Sequence, residues 1–430
     1  MAAVAAARDG ARTLVVERHG FPGGSSTAAL VHPWLSFHNK RGEQVLAGLG
    51  QELVDRLCAV GGALGHLRDS IGFVHSLTPF DPDLTKSVMQ QMLLESGAHV
   101  LLHTFIHDVA TRQSAVESIR IVNKSGMFQL RAPLFIDATG DADIAFRAGA
   151  PIQESRRDGQ LLTQPMTMNF RLSGVDWNAI RRYILENPHE FHDETLFDDL
   201  RRGEPLTGVS GYFSKWRAAS EKLGVSRDRL LFFSGVRADE CYVNTSRVTQ
   251  LDGADGFDLS QAELEGRRQV TAIADWMKGE LDGFQKSFIS TIPTQIGVRE
   301  TRRIVGDYLL TQDDVISGAR FPDAIARSAY PVDIHAPSGA GLVTSEAPED
   351  YYEIPFRCLL PQNISNLIVA GRCISATHEG HASTRLTPTC FAMGQAAGLA
   401  ASHCARQRKQ PRELDFTLLR DALRQQGALV

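Results

Sequence analysis

The chain has 430 residues, of which 43% are hydrophobic and 22% are charged, and its formal net charge is −5. These values are ordinary for a globular α/β protein, and the charge gives no support to a nucleic-acid or anionic-membrane partner. No apolar run approaches the length of a membrane span. The six cysteines are widely spaced, without CxxC or metal-type spacing, which predicts reduced thiols in a cytoplasmic protein with no metal site. Nothing in the pattern indicates an oligomeric state.

The first residues indicate a helix followed by a buried strand. Ala2–Arg8 is rich in alanine and helical, and Ala11–Glu17 is an apolar run that suits a strand and ends in an acid. In a dinucleotide-binding βαβ unit, an acid at the end of the second strand binds the ribose hydroxyls, so Glu17 is a candidate ligand. A solvated strand-end acid is the alternative, because the first strand and its glycine-rich turn would have to precede Ala2.

A Gly/Ser loop, two helices and a strand come next. Phe21–Leu30 reads FPGGSSTAAL, whose glycines permit a tight turn and whose hydroxyls can cradle phosphate or ribityl oxygens. Such loops are common, so this signal is weak by itself. Helical spacing predicts helices over residues 42–65 and Asp83–Ser96. His99–Val109 has the pattern of a single strand with three histidines on one face, too far apart to bind one metal ion together.

The middle of the chain alternates strand and helix signals. The predicted segments are a hairpin over 116–131, a half-buried strand over Met166–Leu172, solvated helices over Trp177–Lys222, a strand over Cys241–Val248 and a helix over Ser260–Gly279 with Ser260 as its N-cap.

A further strand, predicted over Ile296–Leu310, carries three arginines. An inward-facing arginine can bind a carboxylate through two hydrogen bonds, and Arg299 is the candidate for this role. The alternative is a surface strand whose arginines pair with Glu300 and Asp307, which we expect of the other two.

The stretch from Asn366 to Gly398 combines a strand, a turn and a helix. Leu367–Ala370 is a short apolar strand, and Gly371 permits a turn or a close approach. A polar loop with two histidines follows, and Thr389–Ala401 is predicted to be a helix with one nearly bare face. The N-terminus of such a helix attracts negative charge, which suits the pyrimidine end of a reduced flavin. A tightly packed helix of any α/β protein is the alternative.

Residues 134–143 (LFIDATGDAD) run from an apolar strand into Ala-Thr-Gly-Asp, which resembles the second flavin motif of proteins with two dinucleotide-binding folds. The stretch from Asn366 resembles their third motif. Together with Glu17 and the Gly/Ser loop, the set is similar to the FAD-dependent oxidoreductase family of the glutathione-reductase type. Further blocks in the same order are 164–176, 243–248, 296–311, 330–335 and 351–361. The departure is at the N-terminus, where the family's GxGxxG strand and turn are not found.

The resemblance implies an α/β fold, with a discontinuous FAD/NAD(P)-binding Rossmann-like domain and an inserted substrate domain of mixed β-sheet and helices. The implied boundaries are 1–160 and 346–405 for the FAD-binding domain, 161–345 for the substrate domain and 406–430 for a helical tail.

The cofactor that the resemblance implies is FAD. We expect it to be noncovalent, because the Gly/Ser loop has no histidine and His32 is only a remote candidate for a covalent link. The residues expected to bind it are Glu17, Arg18, Gly23, Gly24, Ser25, Ser26, Thr27, Ile106, Ala138, Thr139, Gly140, Asp141, Gly371, Arg372, Thr389 and Cys390.

The implied reaction is hydride transfer between FAD and a small organic substrate, for which the arginines favour an anion. Catalytic roles are expected for His378 as a proton acceptor, and for Arg299, His335 and Arg385. A flavin disulfide reductase is excluded, because no redox cysteine pair lies near the first motif. Two alternatives stay open: a truncated chain that folds without FAD and has no activity, and, less favoured, a nicotinamide-dependent dehydrogenase.

Overall fold

The computed structural model describes residues 1–157, 160–191, 194–338, 341–345 and 348–430. Its α-helices are α1 (Ala2–Arg8), α2 (Ser25–Ala28), α3 (Leu49–Ala59), α4 (Pro82–Glu95), α5 (Asp143–Arg147), α6 (Trp177–Glu186), α7 (Glu194–Arg201), α8 (Phe213–Leu223), α9 (Gly256–Glu280), α10 (Gln312–Ser317), α11 (His378–Thr384), α12 (Thr387–Gln407) and α13 (Phe416–Gln425).

The strands are β1 (Leu14–Val16), β2 (Trp34–Leu35), β3 (Leu67–Arg68), β4 (Ser76–Thr78), β5 (His99–Leu101), β6 (Phe105–Arg112), β7 (Ala115–Asn123), β8 (Gly126–Leu130), β9 (Phe135–Asp137), β10 (Arg156–Arg157), β11 (Gln160–Leu161), β12 (Phe170–Ser173), β13 (Gly208–Gly211), β14 (Leu230–Ser234), β15 (Cys241–Val243), β16 (Phe288–Thr291), β17 (Ala324–Ser328), β18 (Val332–His335), β19 (Leu342–Ser345), β20 (Tyr352–Pro355) and β21 (Leu367–Val369).

Two pairs of parallel strands position the candidate ligand loops. β1 pairs with β5, and β9 pairs with β21. Glu17 directly follows β1, residues 138–141 follow β9, and the Gly371 turn lies just beyond β21. Ligands of open α/β sheets bind outside the carboxyl ends of the strands, so the fold places these predicted loops where a ligand is expected.

Opposite ends of the chain meet where α12 packs against α1. A Cβ atom on Gly398 would overlap the carbonyl oxygen of Ala2, and one on Gly394 would lie 3.2 Å from the Cβ atom of Met1. The bare face predicted for this helix therefore lets a second helix approach closely. α12 is also longer than predicted and is buried along most of its length.

A five-stranded antiparallel sheet in the order β13-β14-β15-β12-β16 forms a second body with α9. The hydrophobic core of this body draws its buried residues from Met166 to Ile296, whereas the parallel strand pairs belong to the other core. The domain boundaries given above stay a prediction.

Several local predictions are confirmed. α1 has the predicted bounds, and α4 lies within one residue of them because the Asp81 carboxylate caps it, accepting from the backbone N–H of Asp83 at 2.8 Å. β7 and β8 form the predicted hairpin, with its turn at residues 124–125. These segments carry strong local signals of capping, periodicity and turn residues.

The single strand predicted over His99–Val109 is wrong. His103 takes a left-handed conformation with φ 51° and separates β5 from β6, and its backbone N–H donates to the carbonyl of His19 at 3.1 Å. The three histidines therefore do not share one strand face. The alternating pattern continued across the break and concealed it.

The strand predicted over Ile296–Leu310 is also wrong. Four of its residues form isolated bridges, each with a different part of the chain: Gly297 with Thr167, Ile304 with Ile152, Gly306 with Pro361 and Leu310 with Ala376. No single neighbouring strand pairs with this segment along its described length. Its alternation reflects burial against several elements in turn.

Other boundaries differ because capping and burial override periodicity. α3 begins at Leu49, after Gly48 with φ 63°, and α9 begins at Gly256 with Asp255 as its cap, so Ser260 lies inside the helix. Trp177–Lys222 contains β13 and the fully buried Trp216, so it is not a solvated layer.

Candidate active site

The second and third motifs meet at an ion pair. The Asp141 carboxylate accepts from Arg372 Nη2 at 3.0 Å and from Thr301 Oγ1 at 2.8 Å. Gly140 has φ 79°, and the Arg372 guanidinium occupies the space where its Cβ would lie. The two loops, far apart in sequence, thus form one surface at the ends of β9 and β21.

Asp137 at the end of β9 fixes the loop that follows it. Its buried carboxylate accepts from the Thr139 hydroxyl at 2.7 Å and from the backbone N–H groups of Ile144 and Ala145 at 2.8 and 3.0 Å. Burial raises the pKa of Asp137 in spite of these bonds. The Thr139 hydroxyl is therefore engaged within the protein, whereas Ala138 is exposed and offers its backbone.

Only part of the Gly/Ser loop is open to a ligand. Gly24 has φ 54° and no atom within 4 Å of its Cβ position, while a Cβ on Gly23 would collide with Thr27. Ser26 Oγ accepts from Trp34 Nε1 at 2.9 Å, and Thr27 Oγ1 donates to the carbonyl of Pro22 at 2.9 Å. The Gly24 carbonyl accepts from the backbone N–H of Ala28 at 2.8 Å, so the Gly24 N–H and the Ser25 hydroxyl, at the start of α2, are the groups left to meet a ligand.

The three remaining cofactor candidates follow the parallel strand pair β1 and β5, and Gln295 links one of them to the Gly/Ser loop by donating its backbone N–H to the carbonyl of Ala28 at 3.0 Å. Glu17 is half-buried and accepts from the backbone N–H of His19 at 2.9 Å. Arg18 donates to Gln295 Oε1 at 2.8 Å, and Ile106 lies on β6 opposite Ile121. Glu17 and Arg18 come directly after β1, and Ile106 comes shortly after β5, the strand that pairs with β1.

Three features of the third motif fit a flavin nucleotide. Gly371 has φ 99° and no atom within 4 Å of its Cβ position. The buried Nη1 of Arg372 has no hydrogen-bond partner among the described residues. α12 begins at Thr387 with no side-chain cap, which leaves N–H groups of its first turn available. Open backbone, a spare guanidinium nitrogen and an uncapped helix N-terminus are what phosphate and flavin oxygens require.

Thr389 and Cys390, in the first turn of α12, are both engaged. Thr389 Oγ1 lies 3.4 Å from Ser328 Oγ, and Cys390 Sγ lies 3.5 Å from the carbonyl oxygen of Arg385. Burial raises the pKa of Cys390 to about 12, so its thiol stays protonated. Both side chains are therefore engaged with neighbouring residues at the N-terminus of the helix.

His378 and Glu300 form a buried acid–imidazole pair. Glu300 Oε1 lies 3.0 Å from His378 Nδ1 and 3.1 Å from Arg303 Nε, and the side chain of Glu300 is fully buried. Burial alone would raise the pKa of Glu300, but the His378 hydrogen bond and the Arg303 charge outweigh it and lower the pKa to about 2. The ionised carboxylate favours the tautomer with the proton on Nδ1, so Nε2 of the quarter-exposed His378 can accept a proton.

A neighbouring histidine on α11 is not suited to the same role. His381 is fully buried, and neither of its ring nitrogens has a hydrogen-bond partner in the described part of the chain. Burial lowers its pKa well below the ordinary value, so the ring is neutral.

Gln164 joins this pair to a second buried cluster. Its backbone N–H donates to Glu300 Oε2 at 3.1 Å, and its side-chain oxygen accepts from the backbone N–H of His335 at 3.2 Å. His335 Nε2 lies 3.5 Å from Asp333 Oδ2, and Arg385 Nη2 lies 3.4 Å from the same oxygen. Burial, reinforced by the Arg299 charge, lowers the pKa of His335 to about 3.

Arg299 differs from its two neighbours in having no carboxylate partner among the described residues. It donates to the carbonyl of Pro165 at 2.8 Å, to Thr167 Oγ1 at 2.5 Å and to Asn244 Oδ1 at 3.3 Å. By contrast, Arg303 pairs with Glu300, and Arg302 pairs with Asp143 at 2.6 Å, not with Asp307.

The four catalytic candidates therefore belong to one region, joined by residues that the sequence did not single out for catalysis. These are Gln164, Glu300 and Asp333, together with Tyr330, whose hydroxyl donates to Asp333 at 3.0 Å. The polar loop predicted around His378 is in fact α11, with Thr377 as its N-cap. Thr377, a residue type preferred at the N-cap, followed by Glu379 in the first turn, was the signal that could have revealed this helix.

Other kinds of site find no support in the part of the chain that is described. There, no three His, Cys, Asp or Glu side chains are placed to hold a metal ion. No described helix is long and apolar enough to cross a membrane. All six cysteines lie within the described ranges and are free thiols.

The family model described as FAD dependent oxidoreductase matches residues 1–423. None of the curated proteins matches the sequence. Among solved structures, the chain is similar to a geranylgeranyl bacteriochlorophyll reductase-like protein from Thermoplasma acidophilum, at 12% identity and TM-score 0.46, over 98% of this chain and 79% of the other.

Two further solved structures show a comparable likeness. A myxobacterial chondrochloren halogenase, described as FAD-dependent, has 12% identity and TM-score 0.46 over 99% of this chain and 76% of its own. The p-nitrophenol 4-monooxygenase from Pseudomonas putida has 11% identity and TM-score 0.39 over 94% of this chain and 74% of its own. Likenesses this distant carry no information about activity.

Proposed function

Because the chain belongs to the FAD-dependent oxidoreductase family, we propose that it oxidises or reduces a small anionic organic molecule by hydride transfer, with noncovalent FAD. When bound, FAD supplies the two-electron chemistry, and the protein supplies orientation and electrostatics. The observation that carries the proposal is the His378–Glu300 pair, which is connected through Gln164 and His335 to a carboxylate and a guanidinium.

The residues proposed to hold FAD are those that the structure leaves open. Glu17 is the candidate for the ribose hydroxyls, by its position at the end of β1. The Gly24 N–H and the Ser25 hydroxyl suit phosphate or ribityl oxygens. Arg372 has a spare buried nitrogen for an anionic oxygen, and Gly371 gives space for a close approach.

His378 is the proposed proton acceptor in substrate oxidation and the proton donor in the reverse direction. A hydride leaving a carbon next to a hydroxyl or amine requires that the heteroatom lose a proton. Nε2 of His378 is the free ring nitrogen, because Nδ1 is held by Glu300. His335 is the weaker candidate, since a histidine whose pKa is lowered to about 3 is a poor base at neutral pH.

Arg299 and Arg385 are the proposed groups that orient the substrate anion. Arg299 is half-buried and hydrogen-bonds only to neutral acceptors in the described residues, while Asp333, the carboxylate whose charge acts on it, is bound by Arg385. Arg385 shares Asp333 with His335 and Tyr330, and its buried Nε has no partner there. A carboxylate bound by either guanidinium would be held through charge-assisted hydrogen bonds.

The first test is the absorbance spectrum of the purified protein before and after heating. Noncovalent FAD gives bands near about 375 and about 450 nm that move into the supernatant on denaturation. Anaerobic mixing with candidate hydroxy acids and amines then measures bleaching of the flavin band. A protein that stays colourless after incubation with FAD would overturn the proposal.

A further inference from the structure

An arginine outside the predicted site is buried without a partner. Arg227, just before β14, is only 7% exposed, and its guanidinium makes no hydrogen bond or ion pair with any described residue. Its backbone is engaged, because the carbonyl accepts from Trp216 Nε1 at 2.8 Å. The two carboxylates whose charges reach it, Asp228 and Asp333, are each bound by another arginine, so this guanidinium has hydrogen-bonding capacity left for an anion.

Arg247 is a second buried arginine beside it, 4% exposed. Its Nη2 donates to the carbonyls of Ala336 at 2.6 Å and Gly341 at 3.3 Å, and its buried Nε has no partner in the described ranges. Neutral carbonyls satisfy hydrogen bonds but leave the positive charge unbalanced. Because Ala336 directly follows His335, this arginine adjoins the His335–Asp333 cluster.

Both arginines line an open cavity of about 770 Å³ on the second body, between the end of α8 and α9. Two carboxylates also line it. Glu265 is held by Arg268 at 2.7 Å and by Gln269 at 2.8 Å, and Glu221 is exposed to solvent. Neither carboxylate forms a hydrogen bond or an ion pair with the two arginines, whose charge therefore remains at the inner end of the cavity.

The balance of charge across the whole region is strongly positive. The charge of Asp333 acts on Arg227, Arg299 and Arg385, and the charge of Asp228 acts on Arg227 and Arg247. The nearby Asp228 is bound at both oxygens by Arg229. Burial and the charge of Arg247 lower the pKa of Arg227 to about 10, and burial followed by the charges of Arg385 and Arg227 lowers that of Arg299 well below its ordinary value. The four guanidiniums thus repel one another with no bound anion.

We propose that the substrate carries two oxyanion groups, of which Arg299 and Arg385 bind one and Arg227 and Arg247 bind the other at the inner end of the cavity. The binding of the first group rests on the proposed function. The second group is a carboxylate or a phosphate, since the guanidinium fork binds both in the same way. Arg227 and Arg247 are then the residues that distinguish a dianion from a monoanion of the same length.

The test measures binding to the FAD-loaded protein by isothermal titration calorimetry. The probes are the linear dicarboxylates from malonate to adipate, each compared with the monocarboxylate of equal carbon count, and 3-phosphopropionate as the phosphate arm. We expect at least one dianion to bind about tenfold or more tightly than its monoanion, because one charge-assisted pair contributes on that order. If a dicarboxylate binds more tightly than 3-phosphopropionate, the second group is a carboxylate; if 3-phosphopropionate binds more tightly, it is a phosphate.

Arg227→Met is the variant that removes the second site. It should abolish the dianion's advantage while leaving monoanion affinity and the flavin spectrum unchanged. Arg217→Met is the matched control, because it removes the same charge from an exposed position on α8 and should keep the advantage. If Arg227→Met does not fold, the wild-type comparison and the corresponding Arg247→Met variant still decide the question.

The outcomes separate the two proposals. Wild-type protein that binds FAD and bleaches with a substrate, but shows no dianion advantage at any length in either arm, overturns the two-group inference alone. Wild-type protein that never binds FAD overturns the proposed function, and the dianion–monoanion comparison, made then on the FAD-free protein, still reports on the arginines. An advantage that survives in Arg227→Met and Arg247→Met also overturns the inference.

Discussion

Replacing Glu300 by glutamine should lower the stability of the protein by an amount that follows from its pKa. In the folded protein the pKa of Glu300 falls from the ordinary 4.5 to about 2. A difference of about 2.5 in pKa, at about 1.4 kcal/mol for each unit, corresponds to about 3 kcal/mol of unfolding free energy contributed by the ionised carboxylate. Because the folded pKa is depressed, this contribution is present above about pH 4.5 and is lost as the pH falls towards about 2.

The assay is urea unfolding at a fixed FAD concentration, followed by tryptophan fluorescence at about pH 7 and about pH 4, which lie above and within the titration range. Glu300→Gln should unfold more easily by about 3 kcal/mol at the higher pH, and the difference should shrink at the lower one. Glu379→Gln is the control, since it makes the same change on α11 at a half-buried residue that has no hydrogen bond to any described residue and a smaller effect on Arg303 than Glu300 has, and it should stay within about 1 kcal/mol of wild type. If Glu300→Gln is as stable as wild type at both pH values, Glu300 is not ionised in the folded protein and does not hold His378 by its charge.

Three further expectations test the site and its surroundings. His378→Gln should slow flavin reduction by about a hundred- to ten-thousandfold in anaerobic stopped flow without changing the flavin spectrum, and a rate within about threefold of wild type would refute its role as a base. Gly371→Ala, at φ 99°, should weaken FAD binding in a fluorescence titration. Gly10→Ala is the control, because its φ of 89° gives a similar backbone cost at an equally open position away from the site, and it should leave FAD affinity unchanged. Equal FAD affinities of the two variants would mean that FAD does not approach Gly371. Burial, with the Arg171 charge, lowers the pKa of His32 to about 3, so as the pH falls the unfolded state takes up a proton before the folded state does. The unfolding free energy of the wild type should therefore fall below about pH 6.5, by about 1.4 kcal/mol per pH unit more than that of His32→Gln. Equal pH slopes for the two proteins in urea unfolding would contradict this.

The sequence predicted those parts of the site that depend on local signals. The apolar strands before Ala138 and Gly371, and the helix beginning near Thr389, are each encoded within about a dozen residues. The family resemblance implied that Asp141 and Arg372 both bind the cofactor, and the carboxyl-end rule for parallel strands explains why their loops converge. The family resemblance supplied the order in which these pieces assemble.

The residues that complete the site could not be found this way, because their burial is tertiary. Glu300 was expected to serve as a surface partner for arginines, yet Gln164 and His378 enclose it from distant segments. Arg227 and Arg247 lie in segments whose local pattern is that of any loop or strand end. Only packing shows that neither guanidinium hydrogen-bonds to a carboxylate in the described chain.

The contact between α1 and α12 has a consequence for how the protein is made. The two helices are separated by about 380 residues, and the glycine face of α12 is the surface on which α1 packs. At about 5–20 residues per second, the ribosome delivers that surface about 20–80 seconds after α1 has emerged. Throughout this interval the apolar side of α1 cannot pack on α12, which has not yet been made. The second body, by contrast, is complete in sequence before α12 and can fold first. Synthesis therefore leaves this face of α1 without α12 for the whole interval, during which a chaperone can cover it.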